Sequence, residues 1–319
     1  MKKLALLLAS LLIGAMFATA AYASAGGDLL ASADVHMSFE NGIKDDNDNY
    51  KIISDGDTPI VAGKFGSGVN CQGGVNYLTV DGWKFGADSF TFTAWIICNE
   101  RDSDSDPAIA GSKYWDSGSN IGWVLSARDN DWKYNANSET GQRTDFEYSY
   151  YDSPLEDVNG VWYHIAVVVD RAKEVYTLYI NGVSQGETDF SDKGHTGETY
   201  DDEGSGYTFN IGDDGSGIYN SKATFNFDYD EVAVFKRALT ADEVVAIYEY
   251  DPIADLAVEE VPVAEEAPAA EAPAAEAPAP VAEAAPAAPA AAAQTGNSAA
   301  IVILAIAAAV GCAVAAKRR

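Results

Sequence analysis

The chain of 319 residues carries 49 acidic and 20 basic side chains, a formal net charge of −29, with three His and three Cys. That balance excludes nucleic acid as a partner, because such binding needs a Lys/Arg-rich face that displaces counterions from phosphates. It disfavours docking onto anionic lipid, suits neutral partners such as glycans and also divalent cations, and leaves too few His for a His-rich metal centre.

The chain opens with Met1-Lys2-Lys3, an apolar run from Leu4 to Phe17 and a small-residue stretch containing Ala21-Tyr22-Ala23. A basic start, an apolar core and an Ala-x-Ala site make a secretory signal peptide, 1–23, cut after Ala23. Residues 24–251 form the globular stretch, which is long enough for a substantial core.

Period-two alternation dominates this stretch. Val35, Met37 and Phe39 alternate with His36, Ser38 and Glu40. Further strands are expected over 90–97, 121–127, 162–169, 175–180, 207–211 and 225–235. Asn181-Gly182 follows the fourth of these, a hairpin signal because both positions tolerate positive φ. Many short strands divided by turn signals indicate a sandwich or barrel. One helix is expected near the end. Thr240-Ala241-Asp242-Glu243 has capping-box spacing, and Val244, Val245, Ile247 and Tyr248 follow as its apolar face.

Residues 252–297 hold eight acids, no base and a Glu-Ala-Pro-Ala-Ala unit repeated every five residues. Pro at 268, 273, 278 and 280 removes amide donors, which excludes a stable helix and favours an extended stalk. At about 3.1 Å per residue it reaches up to roughly 140 Å. Residues 298–319 complete the chain. The 18 residues from Ala299 to Ala316 are apolar and Lys317-Arg318-Arg319 follow. At about 1.5 Å per residue this run makes a helix of about 27 Å, enough for a bilayer core, with its basic end in the cytoplasm.

In their order and spacing these pieces resemble the laminin G-like jelly-roll domain of the concanavalin A-like lectin/glucanase superfamily. The resemblance rests on Val35 to Gly42, Gly63 to Gly68, Phe90 to Ile97 with Ala94-Trp95, Val161 to Ala166, Leu178 to Gly182, and Tyr229 to Phe235 continuing to Glu243. Two departures are Asp228, where Gly often sits, and an acidic insertion from Ser191 to Gly206. The resemblance implies an all-β, two-sheet antiparallel jelly roll, often with bound calcium, that serves carbohydrate or protein adhesion. The C-terminal layout resembles a Gram-positive sortase sorting signal, with cleavage between Thr295 and Gly296, although Ala292-Ala293 replace the Leu-Pro of that signal. Wall attachment and a plain membrane anchor both remain open, and both place the protein on the cell surface.

Calcium prefers several oxygen ligands. The resemblance puts Asp230 near a structural ion, with Asp228, Glu40 and Asp34 able to complete the group. The alternative is that Asp230 bonds local backbone. The acidic runs at 45–48, 102–106, 201–203 and 213–214 are expected to be solvated loops. Sugars are gripped by aromatic faces together with amides and carboxylates. Trp115, Trp132, Tyr134 and Tyr219 are the loop-edge aromatics suited to this, with Tyr148, Tyr150 and Tyr151 further along. Trp95 and Trp162 are expected in the core, and Trp123 fits either role. Glu187-Thr188-Asp189 begins a glucanase-like carboxylate pattern, but Asp192 takes the last position. His36 and His164 need only a structural explanation, and His195 is expected in solvent. Cys71 and Cys98 form either a disulfide or two separate buried thiols. The expected protein is a surface-displayed, non-catalytic binding module for an extracellular glycan, with a calcium cofactor possible. A protein-binding adhesin or structural surface protein, and a divergent glycoside hydrolase, are the alternatives.

Overall fold

A computed structural model describes residues 25–101, 106–116, 119–128, 131–148, 161–222 and 225–259. The described residues belong to one compact unit that ends at Val263. Two antiparallel sheets pack face to face.

The first sheet contains β1 (Val35–Met37), β3 (Ile60–Ala62), β4 (Ser67–Gln72), β6 (Phe90–Arg101), β11 (Tyr163–Asp170), β12 (Val175–Ile180), β13 (Val183–Asp189) and β15 (Phe225–Phe235). Its order is β13-β12-β11-β6-β15-β4-β3, and β1 continues beside β15. The second sheet contains β2 (Ile52–Asp55), β5 (Tyr77–Val80), β7 (Ala108–Gly111), β8 (Gly122–Arg128), β9 (Asp131–Asn137), β10 (Thr144–Tyr148) and β14 (Phe209–Ile211), in the order β10-β9-β8-β7-β14-β5-β2. Non-consecutive neighbours in both sheets give the crossed connections of a jelly roll. All the strands expected from alternation are present, and the Asn181-Gly182 turn joins β12 to β13 with φ of 49° and 74°.

Alternation explains the core. Phe90, Phe92, Ala94, Ile96 and Cys98 of β6 face the second sheet, and Phe225, Phe227 and Tyr229 of β15 do the same. They meet Trp123 and Leu125 of β8, Trp132 and Tyr134 of β9, and Phe209 of β14. A bulge between Asp230 and Ala233 then shifts the phase of β15. Beyond it Val232 and Val234 point inward, while Ala233 and Phe235 point to the outer face.

That outer face is covered by helices. α1 (25–31) and α2 (Ala241–Glu249) place Leu30, Val244 and Ile247 on Ala166, Val168, Tyr179 and Phe235. The capping box on α2 is complete: Thr240 Oγ1 accepts from Glu243 N, and the Glu243 carboxylate accepts from Thr240 N. The helices approach closely at Gly26, where a Cβ would lie 2.3 Å from the carbonyl oxygen of Ala246.

The structure corrects several expectations. α3 (Pro252–Glu259) is helical where an extended stalk was expected to begin. Asp251 Oδ1 accepts from the amides of Ile253 and Ala254, and Pro252 takes the first helical position, which needs no donor. The disruptive prolines lie further on. Asp45 is buried and accepts from the backbone amides of His36, Asn47, Asn49 and Tyr50. Asp213 and Asp214 are buried, and Asp201 accepts from the amides of Phe85 and Gly86. Each of these carboxylates satisfies turn N–H groups that would otherwise be orphaned. His195 is fully buried rather than solvated. Cys71 and Cys98 are buried and form no disulfide. They flank Phe227 from opposite neighbouring strands, so two strand spacings of about 4.8 Å separate them, beyond disulfide reach.

The signal peptide, Thr295, Gly296, Tyr150, Tyr151 and the apolar run 299–316 lie outside the described residues. Among the described residues no helix is long and apolar enough to cross a membrane.

Candidate functional site

The four sequence-predicted aromatics do not form one site. Trp132 and Tyr134 are core residues, each 1% exposed. Tyr134 stacks on Trp123 with ring centroids 5.9 Å apart and meets Tyr176 at 4.8 Å. Both belong to a strand whose inward side they occupy, and this removes them as ligand contacts. Trp115 and Tyr219 lie together in a small cluster with Ala108 and Val124 on the other face of the second sheet. Trp115 is buried and its Nε1 donates to Asp106 O at 2.9 Å, and the Tyr219 hydroxyl donates to Asp106 Oδ1.

The four predicted metal ligands also separate. Asp34 Oδ2 accepts from the Lys236 amide at 2.7 Å. Asp228 Oδ1 accepts from Asn70 Nδ2 at 2.5 Å. Glu40 Oε1 accepts from the Ser67 amide at 2.6 Å, and Asp230 Oδ2 accepts from the Phe65 amide at 2.8 Å. Asp230 Oδ1 takes the Glu231 amide at 2.8 Å. These carboxylates direct lone pairs at N–H donors, and a cation would compete for them. Among the described residues no group of three or more metal-ligating side chains forms. As a set the four do not fit calcium.

Two of the four do converge, on the turn between β3 and β4. Asp230 and Glu40 together hold residues 63–67, closed by Gly63 N donating to Gly66 O at 2.9 Å. Gly63 leaves room for Asp230: a Cβ there would lie 2.6 Å from Oδ2. Burial pushes the Asp230 carboxyl up to about 8, reinforced by the neighbouring Glu231.

The turn presents Lys64 and Phe65 over the outer face of the first sheet. There they meet Trp95 of β6 and Tyr248 of α2. Lys64 Nζ lies 4.6 Å from the Trp95 ring centroid, Phe65 meets Trp95 edge-on at 5.9 Å, and Trp95 stacks on Tyr248 at 5.6 Å. His164 backs the pair, 5.5 Å from Trp95. Glu249, Tyr250 and Asp251 complete an open groove of about 480 Å³. It combines four aromatic side chains, one cation and two carboxylates, a set able to stack on an apolar ring face and bond polar groups around it. Trp95 is buried as the sequence reading expects, 6% exposed, but on the outer face of its sheet under α2 rather than between the sheets, and Tyr248, expected on the apolar helix face, is half-buried. The signal that reading lacked was the phase of β6. Phe92, Ala94 and Ile96 point inward, so Trp95 must point out.

The glucanase-like carboxylates lie elsewhere. Glu187 and Asp189 are exposed on β13, the outer strand of its sheet, and Asp192 pairs with Lys193 at 3.2 Å.

Among curated proteins none matches the chain. Among solved structures, the binding domain of Paraclostridial Mosquitocidal Protein 1 is 17% identical, with a TM-score of 0.54, over 69% of this chain and 52% of that one. The binding domain of Botulinum neurotoxin DC, solved with rat synaptotagmin II, is 14% identical with a TM-score of 0.51, over 69% and 51%. A structure of botulinum neurotoxin type C, whose cell entry depends on interaction with two ganglioside molecules, is 13% identical with a TM-score of 0.51, over 69% and 52%. The chain spans about half the length of these structures, and the likeness is one of fold. Residues 72–245, more than half of the chain, match the family Laminin_G_3. By this match the chain belongs to the concanavalin A-like lectin/glucanases superfamily.

Proposed function

We propose that this protein is a non-catalytic binding module that takes a carbohydrate in the groove of Lys64, Phe65, Trp95, Tyr248 and Asp251, and is displayed on the bacterial surface by its terminal segments. The observation that carries this reading is the groove itself. The half-buried rings of Phe65, Tyr248 and Tyr250 and the edge of the buried Trp95 lie beside an exposed lysine and two carboxylates, so ring stacking and hydroxyl bonding converge at one place. The similar toxin domains, one of them named for gangliosides and one for synaptotagmin, support recognition of a cell-surface glycan or protein. A glycan array probed with residues 24–259 tests the proposal. Binding to a defined glycan class that falls at least tenfold in Tyr248→Ala and Lys64→Ala supports it. A flat array, with capture of surface proteins unaffected by those substitutions, overturns it in favour of a protein-binding adhesin that uses another face.

A further inference from the structure

The outer face of the second sheet holds two buried lysines that the groove does not use. Lys113 follows β7 and is fully buried, as is Asn135 of β9, and Lys133 of β9 is 3% exposed. A buried ammonium is costly unless it is compensated or loses its proton. Burial pushes Lys113 down to about 7, with the nearby Arg143 and Lys133 acting in the same direction and Asp145 opposing them. A substantial fraction of its side chain is therefore neutral amine at neutral pH.

What that amine touches is specific. Lys113 Nζ contacts Oδ1 of Asn135. Asn135 Nδ2 donates to Asp145 Oδ1 at 2.6 Å. Asp145 is held by Arg143, whose Nε lies 2.7 Å from Oδ2 and whose Nη2 donates to Oδ1 at 2.7 Å. Lys133 Nζ lies 4.0 Å from Asp145 Oδ1, and Glu147 stands at the register position opposite Lys133. The Trp115 ring lies 5.8 Å from Lys113 Nζ, beside Ala108 and Val124, and gives the pair an apolar wall. The backbone makes room for the contact. β8 lies between β7 and β9, and at Gly122, where φ is 122°, a Cβ would lie 2.8 Å from Lys113 Cβ. The lysine therefore crosses β8 over a glycine and ends on a carboxamide two strands from its own.

An amine, a carboxamide and a carboxylate in this order are the reactants and proton carrier of a transamidation. We propose that Lys113 and Asn135 become joined by an intramolecular amide bond between Nζ and Cγ, with Asp145 as the catalytic residue. The neutral Nζ adds to Cγ, and the new N–C bond forms as the carbonyl electrons move to Oδ1. Asp145 accepts one proton from Nζ and returns it to Nδ2. The Cγ–Nδ2 bond then breaks and ammonia leaves. One amine and one primary amide give one secondary amide and ammonia, with no oxidant or reductant required. The product ties the segment after β7 to β9 across β8. It closes a loop of more than 20 residues, a constraint of the kind a disulfide provides, and one that reduction does not remove.

Tandem mass spectrometry of a tryptic digest of the full-length chain, isolated from cells, tests this. The proposal expects peptide 102–128, uncleaved at Lys113, linked to peptide 134–143, at a mass about 17 Da below their sum. Lys113→Ala and Asn135→Ala should each abolish the linked species. Asp145→Asn should reduce it at least tenfold in protein whose near-UV circular dichroism is native-like. Unlinked peptides 102–113, 114–128 and 134–143 as the only products of the wild type would overturn the proposal. A full yield of linked peptide from Asp145→Asn would overturn the role given to Asp145. Neither result depends on any ligand of the Trp95 groove.

Discussion

Nδ1 of His195 lies 2.9 Å from the hydroxyl of Tyr200, and that hydroxyl lies 2.8 Å from the hydroxyl of Tyr176 on β12. His195 Nε2 also lies 2.7 Å from Gln142 O and 3.0 Å from Thr144 Oγ1. Arg171 packs its guanidinium 3.7 Å from the centre of the Tyr200 ring and donates to the carbonyls of His195 and Glu198. The acidic insertion from Ser191 to Gly206 is thereby fastened to the sandwich by a buried polar chain. Tyr200→Phe removes the central hydroxyl and leaves two buried groups short of a partner, so it should cost about 1–3 kcal/mol. Urea denaturation measures this, and hydrogen exchange should show faster opening of residues 191–206. A midpoint and exchange pattern equal to wild type would show that the insertion is held by other contacts.

The buried histidines give stability a defined pH dependence. Burial pushes His164 down to about 3, and its Nε2 lies 2.6 Å from Thr93 Oγ1. Burial also lowers His195, with Arg171 acting in the same direction against the bond to Gln142 O. The unfolded chain takes up these protons near pH 6.5 before the folded chain does, so both contributions are present above about 6.5 and fade as pH falls; for His164 the loss continues toward pH 3, at about 1.4 kcal/mol per pH unit. Asp213 and Asp230, raised by burial to about 7 and about 8, act in the opposite sense. They add stability as pH falls through those values, down to the carboxylate range of the unfolded chain. The His164 contribution is therefore read as a difference. Between pH 6 and 4 the wild type should lose about 1.4 kcal/mol per unit more than His164→Gln. Parallel curves would mean that His164 is protonated in the fold.

Cys71 and Cys98 should behave as inert thiols. Burial raises the Cys71 thiol far above its ordinary value, with Asp228 and Asp213 adding to the effect, and thiolate is the reactive form. Reductant should leave the thermal midpoint unchanged, and a thiol reagent should label the folded protein at least tenfold more slowly than the unfolded one. A reductant-dependent midpoint would place a disulfide where the register forbids one.

Trp132 tests the assignment of β9 to the core. Trp132→Ala should cost about 3–5 kcal/mol, because it empties a fully packed site between the sheets. Tyr248→Ala, at the half-buried rim of the groove, should cost less than half of that. Calorimetry of the two variants gives the comparison. A Trp132→Ala protein with the wild-type midpoint would put that ring outside the core.

The amino-acid sequence by itself determines β1, β6, β8, β11, β12, β14 and β15, the Asn181-Gly182 hairpin and the Thr240 cap, because alternation, turn chemistry and capping act over a few residues and need no distant partner. The order of those pieces also establishes the superfamily. Tertiary structure alone decides which short stretches join the sheets as strands and what covers each face. In β9, Trp132, Tyr134 and Ala136 alternate with Lys133, Asn135 and Asn137, but only pairing with β8 and β10 makes this short stretch a strand and packs Trp132 and Tyr134 between the sheets, with Lys133 and Asn135 on the other face. It also decides the use of the charges. Asp230, Glu40 and Asp45 look like cation ligands or solvated acids in a sequence of net charge −29, yet each is committed to backbone amides that only the folded turns bring to it. The physical reason is range. Local patterns are set by neighbours along the chain, whereas burial and hydrogen-bond partners are set by residues as far as 202 positions away, such as Asp34 and Lys236.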